Sequence, residues 1–411
     1  MGRQAFFLIV LVTLGMRAMA QKSDKWLYNF LYEEGSPLLK KVLSHPDIYR
    51  YQILYTQIDR DKFNCPYFKT YRVNVDRTRY FNPASTVKLP TALVALEKLN
   101  NLKIRELNKY SDMITDSGFR RQTKVLRDSS SESGYPSVAN YIKKVFLVSD
   151  NDAYNRLYEF DGQQVLNESI WKKGYKDVRI TRRFYPMNEE ENRYTNPIRF
   201  YKDGKLVYEQ PAVYSKVKFK FPKERILVGK AHIDANDVKV NEPMDFTHHN
   251  NFPLEDQQKI LRSILFPQSV GKKERFNLTP DDYSFLYRYM SMLPGQSDHP
   301  AYDTTEYFDT YAKFFLYRAT KSPVPPSVRI FSKAGWSYGF LTDNAYIVDL
   351  QNHTEFMIAA TIYVNSDGII NDDKYDYDDI GYPFFKEIGE IIYHRELKRT
   401  KKYPANLSDI K

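Results

Sequence analysis

The stretch FNPASTVKLPTALVALEKL, residues 81–99, places Ser85 three residues before Lys88 at the start of an apolar-periodic run. Three residues is nearly one helical turn, so the two side chains share a face. A lysine kept from water beside the positive end of a helix has a depressed ammonium pKa. Neutral Lys88 can then take the proton of the Ser85 hydroxyl, and the Ser85 backbone N–H can stabilise an oxyanion. The same spacing supports a simpler reading. A serine ahead of a helix is a favoured N-cap, and Lys88 is then an ordinary first-turn lysine.

Two further motifs supply what a serine–lysine pair lacks. KVFLVSDNDAYNRLYEF sets Ser149-Asp150-Asn151 at the start of another helical run, and VRIFSKAGWSYGF sets Lys333-Ala334-Gly335 on a strand near the end. Ser-x-x-Lys, Ser-Asp-Asn and Lys-small-Gly, in that order, resemble the signature set of class A β-lactamases and penicillin-binding proteins. The resemblance covers most of residues 24 to 396. It implies Ser85 as the acylated nucleophile and Lys88 as its proton acceptor. Ser149 would pass a proton to the departing amine, and Lys333 would tune Ser149 and bind a substrate carboxylate. Asn151 would hold the substrate's side-chain amide. Gly335, Trp336 and Ser337 would line the strand side of the substrate site, with the N–H groups of Ser85 and Trp336 as the oxyanion hole. Asp150 reads as a brace for the Ser149 turn.

The pattern departs from the family in two places. Class A β-lactamases activate the deacylating water with a glutamate on a loop after the Ser-Asp-Asn helix. In VRITRRFYPMNEEENRYTNP that place falls on Phe184, and Glu189, Glu190 and Glu191 follow slightly later. Ala334 stands where the family carries a hydroxyl, and Ser337 shares a strand face with Lys333 and Gly335. The implied activity is therefore that of a serine hydrolase making a Ser85 acyl-enzyme. It is either a β-lactamase or a peptidoglycan D-Ala-D-Ala peptidase, amidase or esterase on the same scaffold. A catalytically silent binding protein is the remaining alternative.

The elements that must position these residues are legible as patterns. Residues 24–44 read as a helix broken at Gly35-Ser36-Pro37, and YRYQILYTQIDR and KTYRVNVDR as paired strands. Helical patterns dominate from Ser85 to about residue 175. Residues 199–248 alternate apolar and polar positions around Asp203-Gly204, a hairpin signal, and are taken as a β-rich insertion. LEDQQKILRSIL and TPDDYSFLYRYMSML are helical. VRIFSKAGW, NAYIVDL and TEFMIAATIYV are strands, and PFFKEIGEIIYHREL is a closing helix. The expected fold class is α/β (α+β). An antiparallel sheet would be built from the N- and C-terminal segments with flanking helices, plus a mainly helical lobe, as in β-lactamases and transpeptidases.

The 411 residues are 42% hydrophobic and carry a formal charge of +10, with basic and acidic residues interleaved. That composition supports a buried core and shows no basic block for nucleic acid. Residues 1–20 read as a signal peptide: one arginine, a short apolar stretch, then Ala18-Met19-Ala20. Residues 21–411 are then one domain, exported to the periplasm or medium without a membrane span, and monomeric. Its partners are a small-molecule β-lactam or a peptidoglycan peptide. The single Cys65 excludes an intrachain disulfide and reads as a small buried filler. No cofactor is expected. His248-His249 would face opposite sides of a strand, and NDDKYDYDD (371–379) reads as a solvated acidic turn, so no metal is expected either.

Overall fold

The computed structural model describes residues 23 to 408, and the expected leader lies outside them. A six-stranded antiparallel sheet runs in the order Val328–Ser332, Phe340–Asp349, Thr354–Tyr363, Gln52–Arg60, Pro66–Val73. Gly335–Ser337 resumes the first strand along Phe340–Asp349 after a break at Lys333-Ala334. The central strands Phe340–Asp349 and Thr354–Tyr363 are buried along almost their whole length, which is why they read as continuous apolar runs. The edge strand Pro66–Val73 stays largely exposed or half-buried. The sheet is thus made from both ends of the chain, as the patterns predict.

Alternation divides the sheet between two cores. Ile53, Ile347 and Ile358 face Leu27, Leu31 and Leu39 of the first helices and Phe385, Ile388 and Ile392 of the closing helix. Tyr346 and Met357 face the helical lobe. The first pair of helices breaks where expected, because Ser36 caps the second by accepting the Leu39 N–H at 3.2 Å and Pro37 takes its first position. At the lobe's centre, Lys88–Leu102 is buried on every side from Lys88 to Glu97. A helix apolar all round belongs in such a position.

Two expectations change. Residues 103–137 contain no helix. Their Ser-, Gly- and charge-rich sequence has no helical period, and Asp112–Thr115 forms a strand instead. That strand pairs with the hairpin Ile198–Lys202/Lys205–Gln210, whose turn puts both Asp203 and Gly204 at positive φ. Cys65 is exposed. It closes a tight turn in which its N–H and that of Phe63 donate to Asp61, so its side chain points outward.

The rest of the insertion forms short ladders. Leu227–Val228 pairs with Met244–Asp245, and Ala231–Ile233 pairs with Lys239–Val240 and, in parallel, with Ile369–Ile370. The parallel contact is close. Gly229 has φ +77°, and a Cβ there would lie 2.8 Å from the Gly368 carbonyl oxygen.

The closing helix, Tyr382–Lys398, is tied to the first strand by Glu396, which has no exposed surface. Its carboxylate accepts from Tyr55 Oη and pairs with Arg395 and Arg399 at 2.9 Å each. Removing one partner from a buried network leaves charge uncompensated. Glu396→Ala is expected to lower unfolding free energy by about 3 kcal/mol in urea denaturation, with the denaturant slope unchanged.

Candidate active site

Ser85 lies on a 3₁₀ turn, Ala84–Val87, that runs directly into the helix beginning at Lys88. Asn82 Oδ1 accepts the Ala84 N–H at 2.9 Å and holds Ala84 at φ +44°, a conformation that costs energy outside glycine. Ser85 is not an N-cap. The residue before the helix is Val87, and the Ser85 hydroxyl makes no hydrogen bond within the described residues. It is 9% exposed and opens on a cleft of about 1120 Å³.

Lys88 is wholly buried one turn further on. Its Nζ meets Ser149 O at 2.5 Å, Asn151 Oδ1 at 2.7 Å and Ser149 Oγ at 3.3 Å. No hydrogen bond joins it to Ser85 Oγ. Burial holds the Lys88 pKa well below the usual lysine range, and the Lys333 charge pushes the same way against a small opposing effect from Asp150. The two carbonyl oxygens can take both N–H groups of a neutral amine. The remaining direction is then a lone pair beside hydroxyl groups.

Ser149 stands at φ +61° just before the helix Asn151–Asp161. Asp150 caps that helix, accepting the Ala153 N–H at 2.7 Å, which is the bracing role expected of it. Lys333 Nζ donates to Ser149 Oγ at 2.9 Å from the opposite side. Burial pulls the Lys333 pKa down to about 7, countered by Asp343 and assisted by Lys313. Asp343 itself is pushed up to about 6 by burial, despite accepting the Phe314 and Asn344 N–H groups. Two lysines therefore converge on one hydroxyl, and the Lys333 charge weakens the hold of Lys88 on its proton.

Strand alternation puts Lys333, Gly335 and Ser337 on the site face. A Cβ on Gly335 would lie 2.4 Å from the Ser85 backbone nitrogen, so only glycine lets the strand approach this turn. Ala334 faces the opposite core and is fully buried. Trp336 and Ser337 line the cleft, and the Trp336 ring packs on Tyr311 and Phe314 with centroids 5.6 Å and 5.9 Å away. Ser85, Lys88, Ser149, Asn151, Lys333, Gly335, Trp336 and Ser337 thus come together from three separate segments.

The acidic run does not reach this place. Phe184 does: its ring centroid is 5.2 Å from Lys88 Nζ, and its N–H donates to Asn155 Oδ1 at 2.8 Å. Glu189 meets His248 Nδ1 at 2.5 Å, Glu190 accepts from Tyr214 Oη at 3.2 Å, and Glu191 accepts the Asn188 N–H at 2.9 Å. None of the three lines the cleft. The histidine pair lies on a turn, not a strand: His248 stacks on Phe221, and His249 packs on Phe246. The acidic turn at 371–379 is bonded within the protein: Asp372 accepts the Lys374 N–H at 3.1 Å, and Asp376 accepts from Ser366 N and Oγ at 2.8 Å and 3.0 Å. Among the described residues no three His, Cys, Asp or Glu side chains are grouped to hold a metal. The sequence patterns missed Asn82, Asn155 and Arg182, and weighed His249 only for a metal. Asn155, Arg182 and His249 act through partners remote in the chain, so no local spacing marks them, whereas Asn82 holds Ala84 two residues on.

Residues 49–216 match the sequence model described as a β-lactamase enzyme family. No curated protein matches the chain. Among solved structures it is similar to the TLA-1 extended-spectrum β-lactamase, at 14% identity and TM-score 0.50, over 88% of this chain and 97% of that one. It is also similar to a β-lactamase from Sphaerobacter thermophilus, at 12% identity and TM-score 0.48, over 91% and 99%. A third similar structure is PBP-A, at 13% identity and TM-score 0.48, over 90% and 97%.

The low pKa of Lys333 has a sign that can be checked. A lysine whose pKa falls from 10.5 to about 7 on folding imposes its full charge-burial cost below pH 7. The cost is relieved as pH rises toward the unfolded value. Lys333→Met is therefore expected to raise thermal stability over the parent at about pH 6.5, and the gain should shrink by about pH 9.5. A gain independent of pH would contradict this.

Proposed function

We propose that this chain, a member of the β-lactamase and penicillin-binding-protein-like superfamily, is a serine hydrolase that transfers acyl groups through a Ser85 acyl-enzyme. The observation that carries this reading is the convergence of Lys88 and Lys333 on Ser149 Oγ, at 3.3 Å and 2.9 Å, beside a free Ser85 hydroxyl. Neutral Lys88 takes the Ser85 proton as Oγ attacks the amide carbon. The Ser85 and Trp336 N–H groups stabilise the oxyanion. Lys88, now charged, returns a proton to Ser149 Oγ. The Ser149 hydroxyl proton passes to the departing nitrogen, and the C–N bond breaks. Lys333 donates to Ser149 Oγ throughout and attracts a substrate carboxylate.

The acylated enzyme then turns over slowly. Phe184 offers a phenyl ring where a base would have to activate water, and a general base contributes roughly 10² to 10⁴ to such a step. β-Lactams are on this reading covalent ligands rather than rapidly cleared substrates, and the natural substrate is a peptide-like amide or ester such as a peptidoglycan stem. The expected leader at residues 1–20 would deliver the enzyme to that polymer outside the cytoplasm. No helix among the described residues is long and apolar enough to cross a membrane.

Mass spectrometry of the enzyme mixed with benzylpenicillin tests the proposal. A single adduct of the intact penicillin mass on the Ser85 peptide, absent in Ser85→Ala, is expected to persist for minutes or longer. No adduct under any condition would leave a catalytically silent protein. Phe184→Glu is expected to shorten the adduct's lifetime at least about tenfold while the adduct still forms. An unchanged lifetime would remove Phe184 from the explanation.

A further inference from the structure

We infer that Arg182 is a subsite for an anionic group on the acyl portion of the substrate, so that the preferred substrate carries a carboxylate there as well as the one facing Lys333. The inference rests on the Ser85 cleft being the substrate site. Trp336 and Ser337 line the strand side of that cleft, and Arg182 lines the loop side, two residues before Phe184.

Three neighbouring arginines show why Arg182 stands apart. Arg183 is fully buried, 3.2 Å from Glu159, and donates to the Glu191 and Tyr194 carbonyls. Arg179 lies over the Phe221 ring and donates to Lys220 O. Arg121, also on the cleft wall, is spent on Pro186 O at 2.7 Å and lies 3.8 Å from Glu191. Arg182 has no acidic partner among the described residues. Its side chain makes one hydrogen bond, from Nη1 to His249 Nε2 at 3.2 Å. Arg182 lines the cleft, and its other guanidinium N–H groups have no partner among the described residues.

That partner cannot compete for an anion's place. His249 is half-buried, and burial together with the Arg182 charge pulls its pKa down to about 3. It is neutral at ordinary pH, and its Nε2 lone pair orients the guanidinium without cancelling the charge. A carboxylate would neutralise Arg182; a neutral imidazole only aims it.

The support is built into the fold. The end of the insertion clamps the segment bearing Arg182. Arg179 and Asn251 exchange backbone hydrogen bonds at 2.9 Å and 2.8 Å. Asn250 Oδ1 accepts the Thr181 N–H at 2.7 Å and the Arg182 N–H at 3.3 Å, and Thr181 Oγ1 donates to His248 O at 2.9 Å. The acids on the same cleft are engaged elsewhere. Asp150 caps its helix, Asp245 pairs with Arg225 and accepts from Thr247, and Asp234 accepts the N–H groups of its own loop. A planar, forked, charged donor with no acid partner, facing a substrate cleft, fits a carboxylate.

Binding and acylation can be separated. In Ser85→Ala, calorimetry would compare benzylpenicillin with carbenicillin, which differs by one carboxylate on the acyl side chain. Carbenicillin is expected to bind about tenfold more tightly. Adding Arg182→Gln should bring the ratio near one, and Arg182→Lys should keep part of it. Equal affinities in Ser85→Ala, a ratio untouched by Arg182→Gln, or no carbenicillin binding at millimolar concentration would overturn the inference. Absence of covalent labelling in the parent would instead count against the acyl-enzyme, whatever the affinity ratio.

Discussion

Everything at this site depends on two buried lysines sharing one serine hydroxyl. Lys88 and Lys333 are drawn to Ser149 Oγ from opposite elements, and among the described residues neither has a carboxylate within salt-bridge distance. Burying such cations is costly, and the protein meets the cost by weakening their protonation. The depressed pKa values follow from that constraint. They are also what a lysine needs in order to act as a base near neutral pH. The folding penalty and the chemistry have one cause.

The architecture serves this convergence. The buried central strands fix the break at Lys333-Ala334, and Gly335 lets the strand close on the Ser85 turn. The helices beginning at Lys88 and Asn151 then bring their N-terminal residues to the same point. The insertion does something different. Its first half extends a sheet of the lobe. Its second half pins itself to Ile369–Ile370 and contributes His232, Asp234, Met244 and His249 to the cleft wall. The proposed reacting groups sit on rigid elements, and part of the cleft wall around them comes from added material.

Much of this was legible in the sequence, and the limits were physical. Ser85, Lys88, Ser149 and Lys333 could be named because each stands at the edge of a helix or strand with a strong local pattern. The strands at 340–349 and 354–363 were legible because complete burial leaves an apolar run. The Asp203-Gly204 turn was legible because only a few residue types tolerate positive φ twice in succession. By contrast, the strand at 112–115 exists only because a hairpin some 90 residues later pairs with it. Cys65 is outward because Asp61 organises the turn around it. The N-cap reading of Ser85 failed because a 3₁₀ turn moves the helix start to Lys88. Arg182 was invisible as a site because its distinguishing property, the lack of an acid partner, emerges only when the chain is folded.

The central claim is that Lys88 is a neutral base in the resting enzyme. NMR titration of the lysine side-chain ε-carbons, with Lys88 assigned by its loss in Lys88→Arg, measures this directly. The account predicts a Lys88 titration well below the usual 10.5, with the amine uncharged near neutral pH. A Lys88 that titrates near 10.5 would contradict it, because a protonated lysine cannot take the Ser85 proton.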